Sequence, residues 1–158
     1  MNLNLSEFER LYDFLKRGDL VGDITDDGCP ESAFDVAKSL LLNSIVCMPS
    51  KETVIIFKKI NFVLAELHFI TTEKDKKNLY KNTVKTASWI GDNTNIKTII
   101  AFIPIDRGSV IHCANKAGLV YLGMVKNGFQ KDNRMFDMVI LSGSIKDIGT
   151  EAKKWLEP

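Results

Sequence analysis

The chain has 158 residues, 45% of them hydrophobic and 26% charged, with a net charge of +1. That is enough chain for a single domain with a real core, and the near-neutral balance excludes general nucleic-acid affinity, so any basic site has to be local. Cys29, Cys47 and Cys113 are scattered without metal-ligand spacing, and no apolar run reaches the ~20 residues that span a bilayer; free thiols, no metal, no membrane and a cytoplasmic location are expected.

In chain order, Leu5, Phe8, Leu11, Phe14 and Leu15 recur at helical spacing and predict a helix over 5–16. "KRGDLVGDITDDGCPES" breaks it, with an extra strand allowed near "LVGDI" and a turn cluster at Asp23, Asp26 and Asp27. Pro30 opens a second helix over "ESAFDVAKSLLLNS". Three strands follow, "SIVCMP", "TVIIFKKI" and "FVLAELHFI", the last two joined by a tight hairpin around Lys58, Lys59 and Asn61. The basic stretch "EKDKKN" leads into a helix over 77–91 that ends at Gly91. Next come the strand "NIKTIIAFIP", stopped by Pro104, and a short helix "RGSVIHCANKAG" with Gly118 as its C′ residue. "LVYLGMVKNGF" and "RMFDMVILSG" form an antiparallel hairpin around "QKDN", and the tail "SIKDIGTEAKKWLEP" suits a final short helix. This order predicts an α/β (α+β) fold: a mixed, mostly antiparallel sheet with a central parallel β-α-β crossover and flanking helices.

Two constellations carry chemistry. In "AELHFI", strand alternation puts Glu66 and His68 on one face, two residues apart. A carboxylate in so apolar a strand is expected to have a raised pKa, which suits a general base; the same pair also suits a polar face turned to solvent. The second is the lysine knot Lys74, Lys76, Lys77 and Lys81 at a strand-to-helix turn, where unpaired amides and the helix dipole favour an anion. It equally suits a solvated helix start. His112 and Cys113 point apart on their helix, and there is no G-x-S-x-G or Walker motif.

The stretch "IIAFIPIDRGSVIHCANKAGLVYLGMVKNGFQKDNRMFDMVIL" resembles the GNAT superfamily of acyl-CoA-dependent N-acyltransferases. "ANKAGL" stands where members carry A-x-K-x-G-F, Asp137 stands at the usual aspartate of the last strand, and the order of elements agrees along the chain. The resemblance implies a single GNAT-like domain that moves an acetyl or acyl group from acetyl-CoA to an amine acceptor. It implies a pantetheine arm along the strand edge at Phe69, Ile70 and Thr71, and a diphosphate on the turn that follows. There Lys76 takes the place of an arginine and Lys77, Leu79 and Lys81 take three small positions, with Asn78, Tyr80 and Asn82 beside them. Arg107 stands where an asparagine opens the next helix. Glu66 takes the place of the base, acting through a water, with His68 next to it. The tyrosine acid expected on the short helix is Ala114 here, leaving Tyr80 or Tyr121 as substitutes. None of the small positions is glycine, so lysine charge would have to replace a backbone cradle. A different function is therefore also implied: a non-catalytic GNAT-fold protein with a degenerate CoA site, serving in assembly or binding. Small phage-encoded GNAT-like proteins, which would work in a host cytoplasm, resemble this chain in length and in that turn. A homodimer paired through sheet edges is one assembly the resemblance allows.

Overall fold

The computed structural model describes residues 5–17, 20, 32–148 and 150. Two helices come first, α1 (Leu5–Leu15) and α2 (Ala33–Asn43), then strands β1 (Ser44–Ser50), β2 (Thr53–Lys59) and β3 (Leu64–Thr71). A 3₁₀ helix over Glu73–Asn78 runs directly into α3 (Leu79–Asn93). The chain continues through β4 (Thr98–Pro104), α4 (Gly108–Lys116), β5 (Val120–Lys131) and β6 (Arg134–Ser144). Residues 145–148 and 150 are helical, and the rest of the expected tail helix lies outside the described residues. Pro30, the "LVGDI" strand beyond Leu20 and the Asp23, Asp26 and Asp27 cluster lie outside the described residues.

The six strands form one mixed sheet in the order β1-β2-β3-β4-β6-β5, with β3 and β4 parallel and every other pair antiparallel. Helices cover both faces of the sheet around β2 and β3. On one, Leu11, Phe14 and Leu15 of α1 and Val36 and Ala37 of α2 pack on Val54, Ile56 and Ile70. On the other, Val84, Ala87 and Ile90 of α3 and Ala114 of α4 pack on Ile55, Phe57, Ala65, Leu67, Ile99 and Leu141. This is why β2 reads as an unbroken apolar run: residues 53–57 are buried on alternating faces that both meet helices. Each fully buried side chain of this size contributes about 1.5–3 kcal/mol of transfer free energy.

The local signals differ from expectation in instructive ways. Ser32 caps α2, its Oγ accepting the Asp35 amide at 3.2 Å. The β2–β3 turn falls at residues 60–63, where Asn61 Oδ1 accepts the amides of Val63 and Leu64, both at 2.9 Å. The β5–β6 turn tightens to Asp132 and Asn133, both at positive φ, the backbone of a two-residue type I′ hairpin. Gly118 takes φ 97° as the C′ residue of α4, and the Leu119 amide closes onto Ala114 O at 3.1 Å. Gly91 does not end α3, which continues to Asn93. Its hydrogen faces Ile145, and an added Cβ would lie 2.5 Å from Ile145 Cγ2. Glycine there serves helix-to-tail packing.

Candidate functional site

The parallel partners β3 and β4 touch over three residue pairs only: Leu64 with Thr98, Ala65 with Ile99 and Glu66 with Ile100. Beyond Glu66 they diverge. β3 stays paired to β2 as far as Thr71, and β4 stays paired to β6 as far as Pro104, so each turns an unpaired backbone edge towards the gap. A cleft of about 790 Å³ opens there, within the ~300–1,000 Å³ usual for ligand pockets. Its walls come from both faces of the sheet: Val36, Ser39 and Leu40 of α2 on one side, Leu79 of α3 and Ser109, Val110 and Cys113 of α4 on the other. The cleft therefore crosses the sheet at the point where the ladder parts.

Glu66 and His68 both line it, as do Phe69, Ile70, Thr71, Lys76, Leu79 and Arg107. Glu66 and His68 share the strand face of Ile70, which packs among α1 and α2. His68 Nε2 lies 2.9 Å from Glu66 Oε1, with the imidazole half-exposed and the carboxylate only 19% exposed. The expected rise in the Glu66 pKa is overturned. The hydrogen bond from His68 holds its carboxyl below the ordinary glutamate value, outweighing burial, and the charges of His68 and Lys58 act in the same direction. Lys58 faces Glu66 directly across the β2–β3 ladder.

The basic turn is built differently from a phosphate loop. The helical run starts at Glu73, so the amides that would open α3 are already engaged: Asp75 N–H donates to Thr72 O at 3.1 Å and Leu79 N–H to Lys76 O. Asp75, which sequence reasoning passed over, is 7% exposed and gathers the side-chain donors. Ser50 Oγ donates to it at 2.6 Å, Thr53 Oγ1 at 2.7 Å, Asn78 Nδ2 at 2.7 Å and Asn82 Nδ2 at 3.0 Å. Hydrogen bonds from Ser50, Thr53 and Asn78 hold its carboxyl at about 2, against the ordinary 3.8, despite burial. A hint existed in the sequence: Asn78 and Asn82 stand three and seven residues after Asp75, one helical face.

Asp75, Asn78 and Asn82 therefore face the β1–β2 turn, while Lys76 and Leu79, interleaved with them, face the cleft. Lys77 and Lys81 are exposed and form no part of the cleft wall. Tyr80 is also outside that wall: it packs against the α3–α4 core with Lys116 Nζ 5.0 Å above its ring. Tyr121 is exposed on the edge strand β5. Cys113, not the neighbouring Ala114, reaches the cleft from α4, and burial pushes its thiol pKa up. Arg107 caps α4 with its carbonyl and lines the cleft. Asp137, at the position of the late aspartate, accepts the Asn127 amide at 2.9 Å and so fixes the irregularity in β5.

No protein-family model matches the chain, and no curated protein matches it. Solved structures do. The spermidine N-acetyltransferase of Vibrio cholerae, complexed with CoA and spermine, superposes at a TM-score of 0.73 over 94% of this chain and 95% of that one, at 12% identity. The fold is that of the GNAT superfamily. A candidate phosphinothricin N-acetyltransferase superposes on this GNAT fold at 0.69, with 16% identity over 92% and 96% of the two chains. A chimera of the Vibrio cholerae spermidine enzyme with hSSAT gives 0.57 at 15% identity, over 61% of this chain and only 62% of the chimera's length. Among the described residues no helix is long and apolar enough to cross a membrane, and no three His, Cys, Asp or Glu side chains gather as metal ligands.

Proposed function

We propose that the protein is a GNAT-type N-acyltransferase that moves an acyl group from an acyl-CoA-type thioester to an amine. The observation that carries this reading is the cleft at the β3–β4 divergence, which joins an unpaired strand edge to the Glu66–His68 pair. The free backbone groups of residues 67–71 suit the two amides of a pantetheine arm, much as one strand suits the next. A bound thioester would supply an acyl carbon already activated towards an amine. Glu66 Oε1 accepts the Nε2 hydrogen of His68, which leaves Nδ1 as the atom that takes the proton from the amine. Glu66 thus acts by orienting the imidazole and stabilising its charge. The residues of the turn fit a diphosphate poorly, because the Asp75 and Leu79 amides and both asparagines already have partners.

Spermine and spermidine are amines of the neighbour proteins; the acceptor here is an amine of unassigned identity. A melting scan with millimolar acetyl-CoA tests the reading, since a ligand of the native state raises the transition. A shift is expected, and His68→Ala should keep it while lowering kcat by about 10²–10⁴-fold. Unimpaired turnover in that variant would remove His68 as the base. The poor fit of the turn favours one second reading, a non-catalytic GNAT-fold protein of assembly or binding, and absence of any shift would establish it over the first. A homodimer would use the β5 edge, where Val120, Tyr121 and Leu122 lie exposed; light scattering at rising concentration decides that point.

A further inference from the structure

We propose that the cleft selects its thioester by the phosphopantetheine arm alone, because Asp75 closes the β3–α3 turn against a diphosphate. The inference rests on the acyl-thioester reading above and adds which part of the donor the protein recognises.

Three observations converge. The first is donor accounting. An anion at the start of α3 needs N–H groups without partners there, yet a 3₁₀ segment begins six residues earlier, and the Asp75 amide is bonded to Thr72 O and the Leu79 amide to Lys76 O. The second is orientation. The side-chain donors of the turn, Asn78 and Asn82, join Ser50 and Thr53 in converging on the Asp75 carboxylate, on the side away from the cleft. An internal anion has taken the place that such donors would otherwise offer an external one, and its negative charge opposes a second anion nearby. The third is what remains at the cleft itself. Leu79 presents an apolar side chain where a diphosphate would have to approach the backbone, while Lys76 and Arg107 reach the cleft wall as side-chain cations. A lysine point charge and an arginine fork are both phosphate-binding groups, and these two line the same cleft. The free β3 edge runs over residues 67–71, about 16 Å at ~3.3 Å per residue, which suits a pantetheine arm in extended form.

The test compares phosphopantetheine with CoA by isothermal calorimetry on the full chain. The two share the arm and its first phosphate; only CoA carries the second phosphate of the diphosphate and the 3′-phosphorylated adenosine. Dissociation constants within about threefold of one another are expected. CoA binding more than about thirtyfold tighter than phosphopantetheine overturns the proposal while leaving the acyltransferase reading in place. If neither binds, the acyltransferase reading falls and takes the proposal with it. Lys76→Ala supplies a second readout on an exposed side chain. It should weaken phosphopantetheine and CoA by the same factor, about three- to tenfold, and leave pantetheine unchanged. A larger loss for CoA than for phosphopantetheine would mean that the turn does read a diphosphate.

Discussion

Replacing Asp75 by asparagine probes the turn most directly. The substitution keeps the shape of the side chain but removes its charge and sets an NH₂ group among donors that need an acceptor. Four hydrogen bonds of 2.6–3.0 Å end on this carboxylate, and one donor, Thr53, is wholly buried. A hydrogen bond to a charged group contributes about 1.5–3 kcal/mol, but bonds that share one acceptor do not add, so a loss of about 2–3 kcal/mol is expected. For a chain of this size that lowers Tm by about 4–12 °C. The pH dependence supplies the signature. Because the folded carboxyl titrates at about 2, below the ordinary 3.8, its contribution is complete above the ordinary value and is lost as the pH falls towards the folded one. Urea unfolding followed by circular dichroism should therefore show a constant gap between wild type and Asp75→Asn from neutral to mildly acid pH. Below about pH 4 the gap should close. No gap at neutral pH, or a gap indifferent to acidification, would refute the assignment of Asp75 as the anchor of the turn.

Two further variants test other contacts. His68→Ala removes the main cause of the low Glu66 pKa, so the carboxyl should titrate higher, now under burial with only Lys58 opposing; carbon-detected NMR titration reads this, and an unmoved pKa would disprove the pairing. Gly91→Ala gains about 1 kcal/mol of helix propensity but drives a methyl into Ile145, at a cost of about 1–3 kcal/mol for overpacking. Net destabilisation is expected in the wild type and net stabilisation in an Ile145→Ala background; the same sign in both would disprove the contact.

Much of the fold was legible in the chain because its signals are local. The apolar periodicity of α1 and α3, the β-branched runs of β1 to β4, the C′ glycine Gly118 and the Asp132–Asn133 turn each act within a few residues, so each element's kind could be read directly. Strand alternation also placed Glu66 and His68 on one face. Tertiary structure decided the rest. That β3 and β4 part after Glu66 depends on where two strands about thirty residues apart pair, which neither strand encodes by itself. The direction of the Glu66 shift required the actual position of an imidazole 2.9 Å away, where composition had suggested desolvation. The lysine knot shows the division most clearly: sequence registered four positive charges at a helix start, a genuine electrostatic feature. Whether an anion is held there depended on Ser50 and Thr53, 25 and 22 residues upstream, which meet Asp75 only once β1 and β2 have folded against the turn.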